Sequence, residues 1–330
     1  MISLKYAEFY ITNVCNFNCT GCNRLNNYQF AGHQYWEDYA EQYETWSKLV
    51  DIKRITILGG EPTLNPTLKD WMENIRKLWP NAHIELLTNG TRLEYIDWLY
   101  DVANLNSIGV VINTHSSQRY LELVNYIKNL MVGELEISWQ VDQKYWLDAY
   151  NNVKDETWPE CNEFMDFINL PEHILKECLD VHGISPQPSF KDQNNTKFHL
   201  QNDNFFFTPP LKYNGDNTFS TYNSNPKIAH DVCPSKYCHH FVKGKLYKCH
   251  HVVLLPEFMQ QYKVNITDQD KLLLDEYKPG SLDMNNKELN TFINNIENVI
   301  SQCKLCPEEL VSQQITATNK KDKIIKLTNL

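Results

Sequence analysis

The sequence predicts an α/β protein, a partial (β/α)6 TIM-like barrel followed by a small second domain, and three observations carry that prediction. From about residue 5 to residue 141, strand-like runs alternate with helical ones at the spacing of βαβ units. Two of the strand ends run directly into loops rich in chemistry, Cys15-Asn-Phe-Asn-Cys19-Thr-Gly-Cys22 and Gly59-Gly60-Glu61-Pro62. A second set of thiols, Cys233, Cys238, Cys249, Cys303 and Cys306, gathers near the other end, beyond a stretch rich in Pro and Asn.

The elements are expected as follows. Lys5 to Thr12 reads as the first strand, and the cysteine loop sits just past its C-terminal end, the face where parallel barrels build their sites. Phe17 either shields whatever the thiols bind or packs locally; both readings stand. Tyr35 to Val50 places Trp36, Tyr39, Tyr43, Trp46 and Val50 three and four apart, a helical face for the core. A strand over Arg54 to Leu58 enters Gly59-Gly60-Glu61, where two glycines let backbone approach a ligand and a carboxylate can receive an ammonium. Helix Leu68 to Leu78, strand His83 to Leu87, helix Leu93 to Val102, strand Ile108 to Ile112, helix Tyr120 to Met131 and strand Leu135 to Val141 follow. The third strand ends in Thr88-Asn89-Gly90 and the fourth in Asn113-Thr114-His115, positions suited to line a barrel mouth or to cap turns. From Asp142 the pattern is helical, with Trp146, Tyr150, Phe164, Phe167 and Ile168 as core, and a sixth strand is expected over Leu179 to Ser185. Cys161 and Cys178 lack any ligand spacing and read as buried structural thiols. The expected domains are a barrel over 1–200, an irregular connection over 201–230, a cysteine domain over 231–310 and a tail over 311–330.

Three thiols within eight residues leave one over if paired as disulfides, and a zinc site needs a fourth ligand close by. Three ligands suit a four-iron, four-sulfur (4Fe–4S) cluster with one iron left for another molecule. Here the chain resembles the radical S-adenosylmethionine (radical SAM) enzymes, whose C-x3-C-x2-C signature is matched by Cys15, Cys19 and Cys22. The resemblance implies that SAM takes the open iron, with Gly59, Gly60 and Glu61 beside its amino group. Asn113 stands where the family commonly meets the ribose, and Thr88 and Asn89 lie on the same rim. Where the family usually has an aromatic residue before the third cysteine, this chain has Gly21.

The stretch His240 to Cys249 reads as a hairpin about Gly244, and a helix over Asn286 to Ile300 delivers Cys303-Lys-Leu-Cys306. This is similar to the auxiliary-cluster domains called SPASM or, in shorter form, twitch, whose Gly-x4-Cys is matched by Gly244 and Cys249. The resemblance implies one auxiliary 4Fe–4S cluster held by four of the five cysteines. A zinc ribbon, with His239, His240, His250 and His251 as further ligands, is the other reading.

Composition narrows the function. The 31 Lys and Arg against 41 Asp and Glu give a net charge of −10, which disfavours nucleic acid as partner or substrate. The nearest basic run, Lys320, Lys321, Lys323 and Lys326, reads as a solvated tail. The N-terminus lacks a secretory signal and no apolar run is long enough for a membrane span, so the expected location is the cytoplasm, where ten cysteines point to metal or redox chemistry. The resemblance implies reductive cleavage of SAM to a 5′-deoxyadenosyl radical that removes hydrogen from a small molecule or peptide, with electrons from a donor such as flavodoxin or ferredoxin. Only fourteen residues precede Cys15, which favours a small molecule or a peptide held by the barrel itself. The sequence identifies no general acid or base. The competing class is a non-catalytic iron–sulfur or zinc protein, an electron carrier or binding module.

Overall fold

The computed structural model describes residues 1–28, 30–130, 137–139, 142–191, 196–202, 205–206, 210–310 and 313–314. In chain order the elements are β1 (Ile2–Tyr10), α1 (Trp36–Leu49), β2 (Val50–Leu58), α2 (Leu68–Leu78), β3 (His83–Thr88), α3 (Trp98–Leu105), β4 (Ile108–Asn113), α4 (Ser117–Leu130) and β5 (Ile137–Trp139). Then come α5 (Gln143–Val153), α6 (Phe164–Ile168), α7 (Glu172–Asp180), β6 (Pro188–Lys191), β7 (Lys197–Gln201), β8 (Phe205–Phe206), β9 (Lys212–Gly215) and β10 (Thr218–Ser220). The chain finishes with α8 (Pro226–Asp231), β11 (His239–Val242), β12 (Lys245–Tyr247), α9 (His251–Gln261), β13 (Lys263–Asn265), α10 (Asp268–Asp275), α11 (Asn286–Asn294) and β14 (Gln313–Gln314). This is an α/β fold whose parallel pairings are consistent with a partial barrel. The basic run at Lys320 to Lys326 lies outside the described residues.

Two compact units divide the chain, Met1–Ile84 with Phe205–Leu330, and Glu85–Asn204. The expected division near residue 200 into a barrel and a separate cysteine domain differs from this, and the reason is the pairing of β11. In the first unit the strand order is β12-β11-β1-β2: β1 lies parallel to β2 on one side and to β11 on the other, with Ala7, Glu8 and Phe9 opposite His239, His240 and Phe241. The C-terminal hairpin thus extends the sheet that carries the N-terminal cysteine loop. Its turn has two left-handed residues, Lys243 at φ 49° and Gly244 at φ 71°, the backbone of a two-residue hairpin turn. The turn is fixed from α1, where Trp46 Nε1 donates to the Gly244 carbonyl at 2.8 Å and Tyr43 accepts from its N–H at 3.2 Å. The aromatic face expected on α1 is the core here, since Trp36, Tyr43 and Trp46 are buried and Phe241 packs on Phe9 with ring centroids 4.8 Å apart. The supposed irregular connection contains the antiparallel pair β9 and β10, with β13 parallel beside β10, and the helix α8, started by the Asn225 side chain and Pro226.

The second unit orders its strands β4-β7-β6-β5. Here β4 and β7 are parallel, while β6 runs antiparallel to both β7 and β5. The sixth strand is therefore not at Leu179 to Ser185. Leu179 and Asp180 belong to α7, which ends as Gly183 takes φ 65° and the Ile184 N–H bonds the Cys178 carbonyl at 2.8 Å. Lys191 pairs with Lys197 at the end of this antiparallel register. The helix expected over Leu93 to Val102 is instead a 3-10 turn at Leu93–Tyr95 followed by α3. The flanks of the strand expected over Leu135 to Val141 lie outside the described residues. Cys161 and Cys178 are buried in this unit, and burial pushes both thiols up to about 12.

Candidate functional site: two cysteine groups in one unit

Beyond Tyr10 the chain leaves the sheet, and its carbonyls are taken up from three directions. Gln34 Nε2 bonds the Tyr10 carbonyl, and Asn65 Nδ2 donates to Ile11 at 2.7 Å and to Gln34 at 2.8 Å. The loop after β2 is then laced to the cysteine loop, with Gly60 N–H on the Thr12 carbonyl at 2.7 Å and Glu61 N–H on Val14 at 2.8 Å. This contact is why glycines stand at both positions. A Cβ on Gly59 would lie 2.5 Å from the Thr12 carbonyl, and one on Gly60 would lie 2.4 Å from Val14's, closer than any side chain tolerates.

Along the loop, Cys19 is buried while Cys15 and Cys22 are half-buried, and none of the three is in a disulfide. Phe17 packs against Cys19 and Cys15, so the shielding reading of that ring has a geometric basis. Its N–H donates to Cys15 Sγ at 3.4 Å, the kind of amide-to-sulfur contact that stabilises a thiolate. Gly21 has φ 77°, a left-handed backbone that a larger residue would adopt only under strain. Cys22 is followed by Asn26, whose Nδ2 donates to Tyr10 Oη at 2.9 Å and to the Asn13 carbonyl at 2.6 Å. Glu61 is fully buried, and its Oε1 accepts from Thr63 N–H at 3.1 Å and Thr63 Oγ1 at 2.5 Å. It thus caps the short turn after it, besides whatever ligand role it has.

Of the five C-terminal cysteines the structure brings four around one cavity of about 100 Å³: Cys233, Cys249, Cys303 and Cys306. They come from the end of α8, the strand end after β12, and the 3-10 turn at Ser301–Leu305. Cys238 is outside that lining; it precedes β11 near Glu8 and Arg24. Burial pushes all four thiols up, Cys249 to about 12, and Cys249, Cys303 and Cys306 are raised further by their thiol neighbours. Among the described residues no three His, Cys, Asp or Glu side chains converge on a point tightly enough to hold a metal ion, and the four thiols instead surround a space.

The histidines divide. His240 faces Glu8 across β11 and β1, with Nδ1 2.9 Å from Oε2, and Glu8 also receives Arg24 at 2.5 Å and Tyr6 at 3.2 Å. Arg24 and His240 hold the Glu8 carboxyl well below the usual carboxylate range against the opposing effect of its burial. His250 and His251 turn the other way: both direct Nε2 at the Asn23 carbonyl, at 3.2 and 2.9 Å, and His251 Nδ1 lies 3.3 Å from Cys306 Sγ. Burial keeps His251 neutral, its pKa pushed down to about 4. The sequence flags these histidines as alternative zinc ligands, yet their partner Asn23 has no local signal in the sequence.

In the second unit Thr88, Asn89 and Asn113 are all buried. Thr88 Oγ1 accepts from Gly90 N–H at 3.1 Å, Asn89 Oδ1 accepts from Thr91 N–H at 3.0 Å, and Asn113 closes β4 opposite Gln201. Turn capping is thus one role that Thr88 and Asn89 already fill. His115 sits beyond Asn113 with φ 49°.

Comparison with known proteins decides the family. The model of the radical SAM superfamily matches residues 9–177, which is more than half of the chain. The chain belongs to the radical SAM superfamily. It is similar to a probable GTP 3′,8-cyclase of Methanocaldococcus jannaschii, 30% identical over 197 residues, covering 56% of this chain and 64% of the relative. The GTP 3′,8-cyclase of Helicobacter pylori is 23% identical over 196 residues (58% and 61%), and that of Nautilia profundicola 28% over 114 residues (34% and 36%). The matched region spans between a third and just under two thirds of the length of these relatives. Superfamily membership brings the expectation of a 4Fe–4S cluster and SAM, and the donor set fits: three thiols outside any disulfide, at C-x3-C-x2-C spacing on one backbone-braced loop. No helix among the described residues is long and apolar enough to cross a membrane.

Proposed function

We propose that this protein is a radical SAM enzyme in which Cys15, Cys19 and Cys22 hold a 4Fe–4S cluster and Glu61 receives the amino group of SAM. The observation that carries the reading is the lacing of the cysteine loop to Gly59-Gly60-Glu61 through the Thr12 and Val14 carbonyls. It joins the loop of the three thiols and the buried carboxylate by backbone hydrogen bonds, which supports a role in positioning. When bound, a reduced cluster and SAM supply a 5′-deoxyadenosyl radical that takes a hydrogen atom from the substrate. The chain's own part is to hold the three thiolates with Phe17 against Cys15 and Cys19, to leave room with Gly59 and Gly60, and to fix the Glu61 carboxylate through Thr63. By resemblance, Asn113 meets the SAM ribose, with Thr88 and Asn89 nearby.

We further assign Cys233, Cys249, Cys303 and Cys306 as ligands of one auxiliary 4Fe–4S cluster. Four thiols from three segments lining one cavity support a site that a four-thiolate cluster can occupy. Lys236 and Lys248 on the cavity wall donate to the backbone carbonyls of Asp231 and of Asn295 and Asn298, which suits a housing for a cofactor more than a phosphate pocket. The substrate class we infer is a small molecule, as the named substrate of the similar cyclases suggests, and GTP is the first compound to try. A flavodoxin or ferredoxin is the electron donor in this reading.

The test is anaerobic reconstitution followed by assay of 5′-deoxyadenosine with dithionite and SAM. Formation that disappears in Cys15→Ala/Cys19→Ala/Cys22→Ala is the expected result. A fully loaded N-terminal cluster that neither binds SAM nor yields deoxyadenosine would favour the electron-carrier reading instead.

A further inference from the structure

One imidazole bridges a thiol of the C-terminal quartet and the residue that follows the N-terminal trio. His251 opens α9 two residues after Cys249, and its two ring nitrogens meet different parts of the chain: Nε2 is 2.9 Å from the carbonyl of Asn23, the residue after Cys22, and Nδ1 is 3.3 Å from Cys306 Sγ. His250 reaches the same carbonyl at 3.2 Å and stacks edge-on to His251 with centroids 4.6 Å apart. His250 is buried and His251 half-buried, and Gly21 and Asn23 themselves line the cavity of the C-terminal quartet. All these residues belong to the first compact unit.

We propose that His251 is a positioning residue that couples the two cysteine sites, so that filling the C-terminal quartet orders the loop carrying Cys22. The inference rests on the functional reading above only for the identity of what fills the quartet. Its physical basis is that metal binding cross-links chain segments otherwise held by weak contacts, so that its free energy is spent on order near the ligands. A cluster on Cys249 and Cys306 fixes the backbone just before His251 and the sulfur beside Nδ1. The ring then holds the Asn23 carbonyl in place, and Asn23 adjoins Cys22. In a loop where Leu25 has φ 63° and Gly21 φ 77°, such an external anchor governs how far the third thiol can wander.

The experiment separates this coupling from the enzyme's activity. Take the Cys15→Ala/Cys19→Ala/Cys22→Ala protein, which can load only the C-terminal site, and follow amide hydrogen exchange across residues 20–25 before and after anaerobic addition of iron and sulfide. Loading is expected to slow that exchange on the order of tenfold. With His251→Phe added, or with the smaller and polar His251→Asn, iron uptake at the quartet is expected to persist while the slowing is lost. Slowing retained in both variants, or absent from the parent that has taken up its iron, overturns the coupling. Neither result touches deoxyadenosine formation by the wild type, so failure of the coupling and failure of the enzymatic reading are told apart.

Discussion

The two cysteine groups share a chemistry and differ in how the chain delivers it. The N-terminal trio comes from eight consecutive residues on one loop, partly open, its shape secured by backbone hydrogen bonds to the strand end at Gly59-Gly60-Glu61. The C-terminal quartet comes from three segments far apart in sequence and lines a cavity, its thiols half-buried and each pushed up by desolvation. A contiguous site can lose its cofactor and leave the fold standing. A site assembled from distant segments is part of what holds those segments together, so its filling is a folding event as well as a functional one.

The sharpest way to break this contrast is to remove one member of each group. Cys249→Ser or Cys306→Ser in the reconstituted protein is expected to cost about 4 kcal/mol or more in denaturant unfolding, the range reserved for loss of a metal. Cys19→Ser is expected to abolish deoxyadenosine formation with much less effect on that unfolding. Equal destabilisation by the two would erase the distinction.

Next in size is the buried ion pair beneath the first unit's sheet. Glu8→Gln leaves Arg24 buried without its counter-charge and is expected to cost about 3 kcal/mol, measured by the same unfolding. The sign of the pH dependence follows from the lowered Glu8 carboxyl. Its contribution is fully present above the ordinary value of 4.5 and is lost as the pH falls below that toward the folded-state value. Wild type is therefore expected to lose stability on acidification below pH 4.5 more steeply than Glu8→Gln; parallel curves would contradict the assignment.

Gly60→Ala sharpens the contrast from the N-terminal side. The added methyl meets the Val14 carbonyl at 2.4 Å, so the cysteine loop must shift, at an expected cost of about 2 kcal/mol. Iron bound by the trio is expected to fall while iron bound by the quartet stays, as read by metal analysis in the background of each group's alanine variant. The smallest effect is expected at Cys178→Ala, about 1 kcal/mol from lost packing, with unchanged iron content.

How legible these regions are in the sequence follows the same contrast. The trio, Gly59-Gly60-Glu61 and helix α2 can be read from spacing alone because each is local. Parallel pairing of β11 with β1 cannot, since it joins residues some 230 positions apart and leaves no periodic trace; hence the C-terminal segment is expected as a domain of its own, whereas it groups with Met1–Ile84. The same distance hides which of the five cysteines line the cavity. Cys238 is outside that lining because β11 docks on β1 and carries the residue before it toward Glu8 and Arg24. Leu179 to Ser185 misleads for a different reason: its apolar residues serve a helix end, and a short apolar run has no period that separates helix from strand. Asn225-Pro226, by contrast, is a readable helix start inside the stretch expected to be irregular.

The most direct test of two separate clusters is a count of iron, acid-labile sulfide and zinc in three anaerobically reconstituted proteins: wild type, the Cys15/Cys19/Cys22 alanine variant and the Cys233/Cys249/Cys303/Cys306 alanine variant. The expected result is that each variant keeps half of the wild-type iron and sulfide and that no zinc is bound. Zinc in the protein that retains only Cys233, Cys249, Cys303 and Cys306, with all iron and sulfide following the N-terminal trio, would contradict it.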